Sequence, residues 1–72
     1  MKRYIAPRIE PITFPITETI RVRKKDNGLQ YFLNPKETGY YICAVDSGGV
    51  SGQMMFWDND TITKHLERII LP

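Results

Sequence analysis

Seventy-two residues, 42% of them hydrophobic and 25% charged, leave room for one domain and one small core. They exclude a disordered chain, which would be poorer in apolar residues. They also exclude a bilayer-spanning helix, since no apolar run approaches ~20 residues.

A single cysteine, Cys43, cannot form an internal disulfide. Small secreted domains usually depend on several bridges, so a reducing compartment is expected, by default the cytoplasm. The charged start meets Pro7 and Arg8 before any apolar stretch, so no signal peptide is expected. The net charge of +2 is unevenly spread: residues 1–36 sum to +5 and residues 37–72 to −3. Such asymmetry suits either a basic face for an acidic partner or two halves that attract each other.

The expected fold class is mainly β: a small curved antiparallel sheet, or an open barrel, of four to five strands with one C-terminal helix. All 72 residues are expected to form one domain. Residues 1–16 carry prolines at 7, 11 and 15. This spacing forbids a helix interior and a central strand. Ile5, Ile9, Ile12, Phe14 and Ile16 are too apolar for a free tail, so an extended edge segment lying on the core is expected.

Residues 17–34 read as a β-hairpin. Ile20 and Val22 alternate with Arg21 and Arg23, and Leu29-Gln30-Tyr31-Phe32-Leu33 follows Asn27-Gly28. Asn-Gly between strands favours a two-residue type I′ turn, with both residues at positive φ. One face then carries Ile20, Val22, Leu29, Tyr31 and Leu33. The other carries Arg21, Arg23, Lys25, Gln30 and Phe32. A four-residue loop would keep these faces.

Residues 39–57 supply two further strands. Gly39–Asp46 is apolar on both faces and is expected to be central. Ser47–Gly52 reads as a flexible loop and Gln53–Trp57 as the fourth strand. Asp60 is the preferred cap of a helix over residues 61–70, where Ile62, Leu66, Ile69 and Ile70 form one stripe.

Several chemistries fail on the residues present. Asp46-Ser47-Gly48-Gly49 resembles the nucleophile region of chymotrypsin-like proteases, but the one histidine, His65, lies on the terminal helix and the chain is too short for that scaffold. Val45-Asp46-Ser47-Gly48 resembles the retroviral aspartic-protease signature, but 72 residues cannot supply that subunit with its flap. Asp46–Ser51 also fits a DSGxxS phosphodegron; a glycine-rich turn between strands explains it better. Asp58-Asn59-Asp60 lacks the later ligands of a calcium loop. One Cys and one His make no zinc cluster. No catalytic residue, cofactor, metal or small-molecule substrate is therefore expected.

Two candidate sites remain. Met54, Met55, Phe56 and Trp57 form a strand apolar on both sides, in a chain too small to bury both. They point to a protein-binding module, an adaptor or inhibitor, or to a homodimer. Their plainer reading is core beneath the N-terminal segment. Arg21, Arg23, Lys24 and Lys25 with Phe32, aided by Lys2 and Arg3, could hold phosphates and stack a base, which is the alternative function. Their plainer reading is an edge hairpin kept soluble by its charges.

Overall fold

A computed structural model describes residues 6–46 and 49–71, with side chains outside 45–54. The fold is mainly β, as the alternation implies. It is an open antiparallel sheet of six strands, more than the four to five expected. The strands are β1 Arg8–Glu10, β2 Ile20–Lys24, β3 Gln30–Lys36, β4 Gly39–Asp46, β5 Gly49–Trp57 and β6 Leu66–Ile70. Helix α1, Asn59–His65, precedes β6. The spatial order is β1-β6-β2-β3-β4-β5. The last strand thus enters between the first two, and β1 and β5 form the two edges.

The hairpin of β2 and β3 pairs Ile20 with Leu33, Val22 with Tyr31 and Arg23 with Gln30. The expected faces are kept for residues 20–23 and 30–33 but not for Lys25, which lies in the loop, and the two-residue turn is not formed. Lys24 N–H donates to Leu29 O at 2.8 Å, and Gly28 N–H donates to Lys24 O at 2.9 Å. Lys25–Gly28 is therefore a four-residue loop. Of these four residues only Gly28 has positive φ, at 73°, whereas type I′ needs it at both central residues. Asn27 instead uses its side chain, accepting from Leu29 N–H at 2.9 Å.

The expected helix over 61–70 is corrected at both ends. Asp58, not Asp60, is the cap: its carboxylate accepts from Thr61 N–H at 2.8 Å. Hydrogen bonding from Thr61, backbone first, holds the Asp58 carboxyl below its ordinary value, against a small opposing desolvation. The helix stops at His65, and Leu66 is already extended. Residues 66–70 form β6, bonded to β1 on one side and β2 on the other. Seven residues are too few for a helix stable by itself. Two flanking strands offer backbone partners to all of Leu66–Ile70, and β-branched Ile69 and Ile70 suit a strand.

The core lies on one face of the sheet. Ile16, Ile20, Val22, Leu33, Tyr40, Ile42, Ile62 and Leu66 form it, with Ile12, Phe14, Tyr31 and Trp57 packed around it. Helix α1 contributes Ile62. The segment after β1 contributes Ile16, whose N–H donates to the Tyr40 hydroxyl at 3.1 Å. The Phe14 and Tyr40 rings meet at 5.5 Å. This covering face is called inner below, and the opposite face outer.

The glycine-rich stretch is also corrected. Gly49–Gly52 belong to β5, with Val45 opposite Val50 and Asp46 opposite Gly49. Strong pairing with β4 overrides the weak strand preference of glycine. Ser47 and Gly48, which carry the protease-like and phosphodegron patterns, lie outside the described residues. The register shifts between Cys43 and Val45, so two extra residues of β5 form an irregularity at 51–53. From Met54 to Trp57 the ladder is regular.

Candidate interaction surface

Strand parity decides where each candidate side chain goes. Tyr40 pairs with Trp57, Tyr41 with Phe56, Ile42 with Met55 and Cys43 with Met54. Directly paired residues share a face, so Met55 and Trp57 project inward and Phe56 outward. Met55 is 61% exposed and Phe56 49% exposed. Trp57 is half-buried, packed at the margin of the core and edge-on to His65 at 6.1 Å. The Met54 side chain lies outside the described residues.

The inner face is covered only in part. Where α1 and the N-terminal segment end, a cleft of about 310 Å³ remains, lined by Lys24, Tyr31, Ile42, Ala44, Met55 and Trp57. Its floor is apolar and aromatic, with a single cation, Lys24, at the rim. Such a mixture suits an apolar side chain with an acidic neighbour.

The outer face near β5 is held differently. The Phe56 ring occupies the space into which a Gly39 side chain would project. It meets Tyr41 edge-on at 5.8 Å, and the Lys36 ammonium lies 5.7 Å from the Tyr41 ring centre. Phe56 is thus exposed yet fixed in place, over a glycine whose missing Cβ the ring replaces. Sequence reading found Phe56 but not Gly39, whose role depends on a diagonal neighbour across β4 and β5.

The basic candidates do not converge. Arg21, Arg23 and Phe32 share the outer face. Arg21 Nε donates to Gln30 Oε1 at 2.8 Å. Arg23 Nε is paired with Glu67 Oε1, directly across β2 and β6, at 2.8 Å. Lys24 projects from the inner face into the cleft. Lys25 does not share the arginine face: it sits in the loop, and its Nζ donates to Thr63 O at 2.9 Å. Its backbone N–H donates to His65 O at 3.0 Å, so Lys25 satisfies carbonyls at the end of α1. Phe32 is half-buried. Lys2 and Arg3 lie outside the described residues.

Cys43 is buried on the outer face, where Asn34 Nδ2 donates to its sulfur at 3.4 Å. Among the described residues no group of three or more His, Cys, Asp or Glu converges, and no helix is long and apolar enough to cross a membrane.

The chain matches no family model, no curated protein sequence and no solved structure.

Proposed function

We propose that the protein is a small non-catalytic protein-binding module, an adaptor or inhibitor, that engages an extended segment of a partner protein along β5. One observation carries this reading. β5 is a nine-residue edge strand without a charged residue or proline, and it exposes apolar side chains on both faces, Met55 inward and Phe56 outward. An edge strand can bind through its free backbone groups, and flanking pockets then choose the side chains. Here the cleft beside Met55 would take an apolar residue, with Lys24 favouring an acidic neighbour. A reducing compartment such as the cytoplasm suits a module whose one thiol, Cys43, is buried.

The test is selection from a displayed library of short peptides. The reading expects enriched sequences to combine an apolar residue with Asp or Glu and to lose binding to Met55→Lys. Peptides that bind Met55→Lys as well as the wild type would overturn it.

The alternative, a nucleic-acid binder using the hairpin, draws on Arg21, Arg23 and Phe32 sharing a face. It is weakened by the Arg23–Glu67 pair and by the diversion of Lys24 and Lys25. It expects salt-dependent binding of labelled single-stranded DNA or RNA that falls with Arg21→Glu.

A further inference from the structure

We infer that the partner along β5 is a second copy of this chain, joined edge to edge through Met55. The inference rests on the reading of β5 as the binding edge and names an occupant for that edge alone; the cleft with Lys24 at its rim stays open beside it for an acidic segment.

Three observations lead to it. First, self-pairing places residues of one strand against the same residues reversed, so any charge near the centre meets its own kind. β5 carries none from Gly49 to Trp57. Second, the apolar exposure lies on opposite faces of neighbouring residues, Met55 and Phe56. A ligand on one face would cover only one of them. A strand added at the edge brings side chains beside both. Third, the far edge of the sheet is blunted. β1 has three residues, two of them charged, between Pro7 and Pro11. With one open edge, pairing closes at two copies and does not propagate into a fibre.

Geometry also selects the register. Two identical antiparallel strands are related by a two-fold axis normal to the sheet, so facing residues must share a face. The axis must therefore pass through a residue paired with itself. An axis at Met54 would draw all three irregular residues 51–53 into the ladder, where an axis at Met55 draws in only Gln53. An axis at Phe56 would run off the strand into Asp58, the helix cap. An axis at Met55 pairs Gln53 with the partner's Trp57, Met54 with the partner's Phe56, and Met55 with the partner's Met55. The regular stretch Met54–Trp57 is used whole, and of residues 51–53 only Gln53 enters the ladder. Asp58 then faces the partner's Gly52, so no like charges meet. The inner faces of both copies lie on one side of a continuous twelve-stranded sheet, and the two clefts flank the axis.

The experiment has two parts. Sedimentation equilibrium from micromolar to millimolar protein should give the mass of two chains for the wild type. Met55→Lys should raise the dissociation constant by up to about fivefold, through like charges placed directly opposite. Circular dichroism checks that this exposed substitution leaves the fold unchanged. Cysteine cross-linking under mild oxidation, in a Cys43→Ala background because Cys43 lies directly opposite Met54, then reads the register without relying on that variant. Met55→Cys should form a disulfide dimer by itself. Met54→Cys and Phe56→Cys should cross-link with each other when mixed, and poorly alone.

A single-chain mass at every concentration overturns the inference, as does equal cross-linking at all three positions or a dimer indifferent to Met55→Lys. A monomeric wild type would leave the binding role of β5 to the peptide selection, so the two failures are distinguishable.

Discussion

The two edges of the sheet present the same kind of unpaired backbone but treat it in different ways. β1 is short, flanked by Pro7 and Pro11, and its Arg8 and Glu10 pair at 2.8 Å. Next to it lies β6, with Leu66 1% exposed and Ile69 7% exposed. β5 is long, uncharged and free of proline, and Met55 and Phe56 beside the edge are open to solvent. Proline and charge are the usual means of blocking unwanted strand pairing. The first edge uses both, and the second has only the irregularity at 51–53, which leaves Met54–Trp57 regular. Buried side chains therefore line β6, β2, β3 and β4, whereas open apolar side chains lie at β5.

The largest effect should come from the buried side. Leu66→Ala removes a wholly buried side chain shared by the sheet and α1, and should cost about 2–5 kcal/mol in urea unfolding. A loss below 1 kcal/mol would show that the core is not centred there. Next comes Gly39→Val, which forces the Phe56 ring off the outer face. It should cost about 1–3 kcal/mol and shift the Tyr41 ring resonances, loosening the β5 side alone. If both stay unchanged, Phe56 does not pack on Gly39.

How much of this was legible in the chain differs between the two regions. The alternation of Ile20 and Val22 with Arg21 and Arg23 set the faces of β2 and β3, because a period of two is a local property. The Asn27-Gly28 turn was misread because its local chemistry fits a two-residue loop, while the bonds from Lys25 to the end of α1 favour four. Leu66–Ile70 was misread as helix because Ile62, Leu66, Ile69 and Ile70 also suit a helical stripe. What decided the matter was a slot between β1 and β2, and no local pattern contains that. Gly49–Gly52 looked like a loop for the same reason: β4 supplies the partner that glycine-rich sequence lacks by itself. The apolar strand at Met54–Trp57 was visible, but its place at an edge was not, since edges belong to strand order.

Smaller effects sharpen the contrast. The Asp58 carboxyl titrates below its ordinary value in the fold. A depressed carboxyl stabilises above the unfolded-state value, and its contribution fades as pH falls through the folded value. Acid should therefore release the Thr61 amide from its cap, seen as an upfield Thr61 amide shift. In Asp58→Asn that shift should be flat across the same range. A wild-type midpoint at or above the ordinary carboxylate value would contradict the cap. Smallest of all, Met55→Ala should change unfolding free energy by less than about 0.5 kcal/mol. A larger loss in dilute, monomeric protein would mean that Met55 belongs to the core and is not held ready for a partner.

The most direct test of β5 as the binding edge is amide chemical-shift mapping with a peptide from the display selection. The account predicts that the largest changes fall on Met54–Trp57, with lesser ones at Tyr31 and Ala44 along the cleft. Changes centred on Arg21, Arg23 and Phe32, with β5 silent, would contradict it and move the binding site to the basic hairpin.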